Sequence, residues 1–495
     1  MLELTPRASR AAYFAAFGVL LIAGAWLRFA ALDRLELFVD EGGHLLVPVD
    51  ADVRRVIDPV GEGKPAMLWF FRVAWALPLD PLVAARAMIG CCGLISATAI
   101  AATLALLSGR RAALLGFGIW LLLPFAVFHE RLALFDPAIA ALIACSIAAF
   151  AAASRPSVSS GARAGWSVLG GLLAGGACLL KVSAAAAAPW LVVVYFALQC
   201  NRQQPFFSRR LAATVVGFLV PMAWLVFATP GLGEKILHPV SPAARTPGFP
   251  LFGWYAGYGG WPLGVLMLGA LVAAWRKVSS PLLWLAAAWA LSVAIAAAIY
   301  PTPYARYVHA DHLLLVIFLA GALASAPVHV ALPVATLAFS GWAWTDWQIV
   351  RDPRTASLPA GEIAQYVTGV WSGHGSRAVI DFAAHHSPAV VFVHRYSRPA
   401  SYALLIAARQ NPSLGVVPLS VETSTALAGA KVVLAKARTL LGPGVQTYLL
   451  AEGDPPPEPF FLQRHAVPFQ VAFDHAKPDG ASHLLLLRCD FDAPR

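Results

Sequence analysis

Between residues 11 and 345 the chain is a near-continuous succession of apolar runs, each about twenty residues long. A helix needs about that length to cross hydrocarbon, and a chain in lipid must satisfy its backbone polar groups internally. This one feature restricts the fold to a polytopic α-helical membrane protein. Composition agrees: 59% of the 495 residues are hydrophobic and 13% charged, about half the usual charged fraction, and the mean hydropathy is +0.68. Spans are predicted near 11–31, 82–107, 112–128, 132–153, 166–182, 184–199, 211–229, 258–275, 281–300, 311–325 and 328–345, eleven in all.

The charges between these spans orient them. Arg7 and Arg10 precede the first, and alternate connections carry Arg110 and Arg111, Arg155 and Arg163, Arg202 with Arg209 and Arg210, and Arg276 with Lys277. Apart from Glu3, no acidic residue falls among them, so the positive-inside rule predicts that this set is cytoplasmic. The net charge of +10 then reflects loops held at an anionic membrane face, and no nucleic-acid partner is implied. The first apolar run is long and has no small-residue cleavage site after it, so it is expected to remain as a span in a multi-pass inner (plasma) membrane protein. An odd number of spans from a cytoplasmic start places the tail outside, in a periplasm or its equivalent.

Residues 1–349 are expected to form the transmembrane domain, with an outer-face loop at 32–81, and 350–495 a small external α/β domain. In the tail, AVVFV (389–393), KVVLA (431–435) and HLLLL (483–487) read as buried strands, and PASYALLIAARQ (399–410) as a helix. DPPPEP (454–459) reads as a stiff exposed turn. Within the 32–81 loop, DEGGHLLVPVDADVRRVI and PAMLWFFRVAWAL suit helices lying along the membrane surface. The six cysteines have neither disulfide-framework nor CxxC spacing and read as small apolar filler.

Four polar features recur at span ends on the predicted outer face: Asp40-Glu41; GEGKPAML (61–68) with Glu62 and Lys64; FHERLALFDPAI (128–139) with Glu130, Arg131 and Asp136; and PTPYARYVHADH (301–312) with Arg306, Tyr307, His309 and Asp311. A carboxylate at membrane depth costs about 2.5–3.5 kcal/mol even on the lenient insertion scale. Carboxylates converging with Lys and Arg on one side suggest a site for an anionic, lipid-linked substrate, with cations for its phosphate and a carboxylate to deprotonate a hydroxyl. Each feature also has a plainer reading. Asp40-Glu41 suits a helix N-terminus, where acids offset the macrodipole. Lys64 suits an interfacial anchor, Arg131 a structural ion pair, and Asp136 before Pro137 an N-cap. Tyr307, Trp69 and Trp75 suit the interfacial aromatic belt. His44, His129 and His309 lack metal-ligand spacing.

The order of these motifs resembles the GT-C superfamily of membrane glycosyltransferases, more narrowly the branch of protein O-mannosyltransferases and lipid A aminoarabinose transferases. The resemblance covers roughly residues 10 to 345: an Asp-Glu pair in the first external loop, a Lys-Pro before apolar residues, an R-x4-D element and a late Arg-Tyr. GLLAGGACLLKVSAAAAAP (171–189) is similar to that branch's Gly-rich segment, with Lys181 at its Lys and Val182 and Ser183 departing from it. The branch's Lys-Pro-Pro is Lys64-Pro65-Ala66 here, and the acid before the Lys lies one position early, at Glu62.

The resemblance implies a transferase that passes a sugar from a polyprenyl phosphate to a hydroxyl of a glycolipid, glycan or protein, with inversion. It implies Asp40 as general base, Glu41 in support and Asp136 as a second active-site carboxylate. Lys64, Arg306 and Tyr307 would bind the donor phosphate, and Glu62, Glu130, Lys181 and His309 are candidate substrate-binding residues. No cofactor is expected; a divalent metal is compatible with the branch but no ligand cluster indicates one. An oligosaccharide ligase or a flippase of lipid-linked sugars is the alternative, although a transporter should carry broken helices or repeated halves near the midplane.

Overall fold

The structure, a computed structural model, describes residues 6–60, 62–200, 209–228, 251–277, 280–299, 304–393, 398–419, 426–453, 458–478, 480 and 482–492. The 230–250 part of the Pro- and Gly-rich loop, Arg202, residues 301–303 and the first four residues of DPPPEP lie outside these. The chain divides into two compact units, Met1–Leu32 with Asp58–Phe70 and Ala84–Pro359, and Asp33–Ile57 with Phe71–Val83 and Ala360–Arg495.

The first unit is helical and multi-spanning. Among the described residues, eight helices are long and apolar enough to cross a bilayer: Ala11–Phe29, Pro81–Leu107, Phe135–Ala153, Ser160–Leu180, Arg209–Phe227, Tyr255–Ala273, Pro281–Ala298 and Ala305–Ser325. The other three expected spans are also helical but differ in form. The 112–128 run is cut into Arg110–Leu122 and Pro124–His129, because Pro124 has no N–H to continue the ladder and clashes with the turn before it. The 184–199 run starts as a 3₁₀ turn, Val182–Ala187, before Ala188–Cys200. Val328–Arg351 runs six residues past the expected end at 345.

The second unit carries a five-stranded sheet: β1 (Ala389–Val393), β2 (Leu414–Pro418), β3 (Gln446–Gly453), β4 (Phe469–Ala476) and β5 (His483–Cys489), in the order β2-β1-β3-β5-β4. β1 pairs in parallel with β2 and β3, and β5 pairs antiparallel with β3 and β4. Helix Pro399–Gln410 links β1 to β2, and helix Ala426–Leu441 links β2 to β3. Buried clusters cover both faces, one around Phe392, Leu434 and Leu449, the other around Val391, Leu404 and Leu450. The helix at 399–410 and the strands at 389–393 and 483–487 match expectation. KVVLA does not: residues 431–435 lie within Ala426–Leu441. Its β-branched pair looks strand-like locally, but Leu427, Ala430 and Leu434 recur at helical spacing and are the residues buried. The third parallel strand is QTYLLAEG instead.

The 32–81 loop is shared. Its 33–57 and 71–83 parts belong to the sheet-bearing unit, and 58–70 to the membrane unit. The expected surface helices are short: Val39–Leu46, Ala51–Val56, a 3₁₀ turn Pro65–Leu68, and Arg72–Ala76. Gly42 lets Val39–Leu46 lie against helix Pro399–Gln410, since a Cβ there would come within 2.5 Å of the Tyr402 side chain. Trp75 Nε1 donates to the Leu45 carbonyl at 2.8 Å and Arg409 to the Asp50 carboxylate at 2.9 Å, tying both loop segments into that unit.

Candidate active site

In the membrane unit, the start of helix Phe135–Ala153 presents Asp136 in its first turn. The N-cap is Leu134, so Asp136 does not cap the helix; its carboxylate is spent on cations. Oδ1 accepts from Lys181 Nζ at 3.0 Å and Oδ2 lies 3.9 Å from Arg306 Nε. Lys181 reaches it because the chain leaves helix Ser160–Leu180 there in an extended conformation, φ −156°, before the 3₁₀ turn begins. Arg306 sits in the 3₁₀ turn Ala305–Val308, its guanidinium 4.8 Å from the Tyr304 ring and 5.5 Å from the Tyr307 ring. Lys181 Nζ lies 4.1 Å from the centre of the same Tyr307 ring. Two cations thus share one carboxylate and one aromatic face, and cation–π contacts of this kind strengthen once desolvated. A small cavity of about 40 Å³ opens on this cluster, lined by Asp136, Arg306, Tyr307, His309 and Asp311 together with Ser183 and Trp190.

Lys64 is brought toward this cluster by backbone. Gly63, at φ +69° in the region that favours glycine, offers its carbonyl to Val182 N at 2.7 Å, directly after Lys181. Lys64 pairs with Glu62 at 3.2 Å, and both side chains remain partly exposed.

Glu130 belongs to a different, fully buried network. Its carboxylate accepts from Arg28 Nε at 2.6 Å and Trp120 Nε1 at 2.9 Å, and His309 Nε2 lies 3.5 Å away. Gly93 makes room: a Cβ there would stand 2.1 Å from Glu130 Oε2. Arg28 also donates to the Gly24 and Leu121 carbonyls. Glu130 is therefore placed to hold Arg28 and His309, and through His309 it backs the helical turn that carries Arg306. Arg131 donates to the Leu27 and Ala31 carbonyls at 2.6 and 3.1 Å, gripping the C-terminal end of the first helix. Arg28 went unremarked in the sequence, although a lone arginine inside an apolar run is itself a signal. Tyr304 carried no such signal. Among the described residues, no group of three or more His, Cys, Asp or Glu is arranged to hold a metal ion.

In the sheet-bearing unit, Asp40 and Glu41 both lie in the first turn of Val39–Leu46 and take different positions. Glu41 is wholly buried and its Oε2 accepts from Phe38 N at 2.9 Å, so it closes the start of the helix. Asp40, one residue earlier, is half-buried. His44 is buried and stacks on Phe71 at 5.8 Å, a packing role.

No protein-family model matches the sequence, and no curated protein matches it. Solved structures do match the fold. ArnT from Cupriavidus metallidurans in its apo state superposes with a TM-score of 0.62 at 16% identity, covering 97% of this chain and 99% of that one. The fold is that of the GT-C superfamily. The same ArnT bound to undecaprenyl phosphate gives 0.60 at 15% identity over the same coverage. The archaeal oligosaccharyltransferase AglB from Archaeoglobus fulgidus, another GT-C structure, was solved with an inhibitory peptide and a dolichol-phosphate; it gives 0.50 at 11% identity, over 98% of this chain and 75% of that one. The expected GT-C architecture, a helical membrane region with a small C-terminal sheet domain, is the one observed.

Proposed function

We propose that this GT-C chain is an integral-membrane glycosyltransferase that moves a sugar from a polyprenyl-phosphate donor to an acceptor hydroxyl, with inversion. The observation that carries this reading is the Asp136–Lys181–Arg306 cluster, on which a small cavity lined by Asp136 and Arg306 opens. It holds two cations against one carboxylate, an excess suited to a phosphate. The GT-C likeness supports the same donor class, since ArnT was solved with undecaprenyl phosphate and AglB with a dolichol-phosphate. In the reaction the acceptor oxygen attacks the anomeric carbon, the bond from that carbon to the phosphate oxygen breaks, and polyprenyl phosphate leaves with the bonding pair. Asp40 takes the hydroxyl proton. Lys64, Lys181 and Arg306 neutralise the departing phosphate, where charge grows in the transition state. Asp136 fixes the two cations nearest it, and the Tyr307 ring stacks beneath them. In this reading amino and guanidinium groups supply the positive charge. Glu62 tethers Lys64, Glu130 backs the turn bearing Arg306, and His309, which lines the cavity beside Asp136 and Arg306, is placed to meet the substrate.

Replacing Lys64 or Arg306 by Ala should weaken donor binding by about 10- to 100-fold, the worth of one charge-assisted hydrogen bond. Arg306→Lys should restore only part, because a point charge cannot reproduce a planar fork. Binding of purified polyprenyl-phosphate sugar to the detergent-solubilised protein measures this. Unchanged affinity in both alanine variants would refute the phosphate assignment.

The reading also places the site and the C-terminal domain on the outer side of the inner membrane, from the alternating arginine-rich connections. A reporter active only outside the cytoplasm, fused after Arg495, should give signal. Signal from a cytoplasm-only reporter instead would invert the topology.

A further inference from the structure

The sheet-bearing unit contains a second cavity, of about 330 Å³, formed by none of the residues assigned above to catalysis. That volume is within the range of small-ligand sites. Its walls are largely apolar, with Leu35, Leu82, Val83, Ile380, Ile406 and Ala407 among them. Leu82 and Val83 belong to the first turn of Pro81–Leu107, a bilayer-length helix, and Asp33 follows the end of Ala11–Phe29, another, by four residues. The cavity therefore opens where chain leaves and re-enters the bilayer, the level at which an amphiphile has its head in water and its tail in hydrocarbon.

Its polar groups select the head. Ser376 lines the cavity, is 2% exposed, and its Oγ has no hydrogen-bond partner. A buried hydroxyl left unpaired is costly unless a ligand meets it. An anion is disfavoured at the neighbouring start of helix Ser376–His385, because Glu36 already occupies it, accepting from Gly375 N at 3.2 Å and Arg377 N at 3.0 Å. Arg377 turns its guanidinium to the Asp33 carbonyl at 2.7 Å. Two exposed carboxylates, Asp33 and Asp80, remain at the rim.

We infer that this cavity binds a zwitterionic aminophospholipid of the surrounding membrane. One acyl chain lies along the Leu82–Ile406 walls, an ester oxygen meets Ser376 Oγ, and the ammonium faces Asp33 and Asp80. The site is separate from sugar transfer, and its test needs no donor, so it stands or falls apart from the transferase reading.

Native mass spectrometry of the delipidated full chain, titrated with phosphatidylethanolamine and phosphatidylglycerol of identical acyl chains, reads it directly. The ethanolamine lipid should be retained about fivefold better, the upper worth of one exposed ion pair. Asp33→Asn with Asp80→Asn should abolish that preference; Asp80 Oδ1 also accepts from Leu82 N and Val83 N at 2.9 and 3.1 Å, a helix cap that Asn keeps equally well. Ala407→Trp, which fills the cavity, should lower retention of either lipid about tenfold. Should that variant not fold, Ile380→Trp fills the same space from another helix and is read the same way. Equal retention of the two lipids by the unaltered chain, or undiminished retention in a folded tryptophan variant, would overturn the assignment.

Discussion

Asp40→Asn is expected to lower sugar-transfer turnover by ~10²–10⁴, the range for loss of a general base, while leaving donor binding largely intact. The structure separates this outcome from a folding defect. Val39–Leu46 has its start closed by Glu41, whose carboxylate accepts from Phe38 N, so that amide does not depend on Asp40, and Glu41 keeps an acid in the first turn. The substitution changes one oxygen to nitrogen without changing shape. Glu41→Gln should behave differently: it removes a buried charge from the helix start, so its loss should register in thermal stability before turnover. The assay is transfer from a purified polyprenyl-phosphate sugar at matched protein levels. Near-normal turnover in Asp40→Asn would make the pair structural and remove the base from the proposed mechanism.

Glu130→Ala is expected to destabilise the membrane unit by about 3–5 kcal/mol, the cost of breaking a buried pair from one side. Arg28 is wholly buried with it, and the arginine would keep its charge with the carbonyls of Gly24, Leu121 and Trp120 to meet it and the buried Asp346 carboxylate nearby, without a direct pair. Glu130→Gln should cost less, because its amide oxygen still accepts from one of the two donors, Arg28 or Trp120, that the separate carboxylate oxygens serve. The double variant Arg28→Met with Glu130→Leu removes both charges at similar volume and should be milder than Glu130→Ala alone. Thermal unfolding of the solubilised protein compares them. A double variant as unstable as the single would mean that packing, not the uncompensated charge, sets the cost.

Much of the membrane region was legible because its physics is local. A run of twenty apolar residues can satisfy its backbone in lipid only as a helix, so the expected spans recur as helical segments, and even the break at Pro124 follows from a missing N–H. The Asp136, Lys181 and Arg306 cluster was legible in kind, as costly charges at span ends, but not in pairing: Lys181 finds Asp136 across 45 residues, and no spacing rule reaches that far. The tail was harder. Val432 and Val433 favour a strand by propensity, yet the helix wins because Leu427, Ala430 and Leu434 share a face with a sheet to cover. The loop at 33–57 looked like part of the membrane domain because it lies between spans. Its allegiance is set by Arg409 on Asp50 and Tyr402 against Gly42, contacts roughly 360 residues away in sequence. Asp40 and Glu41 also divide only in three dimensions: adjacent in sequence, Glu41 is spent on the backbone and Asp40 stays half-buried.

The sharing of Asp136 by Lys181 and Arg306 has a kinetic side. Counted as a group, the three carry one net positive charge. A sugar-phosphate diester donor brings one negative charge, which that excess balances. The polyprenyl phosphate left after transfer is a monoester, carrying about −1.5 to −2 at pH 7. The attraction that steadies the leaving group as its bond breaks therefore persists, stronger, once the bond is gone. Under the proposed reaction the spent carrier is held more tightly than the loaded one, and clearing it from between Lys181 and Arg306 becomes a step of its own in each cycle.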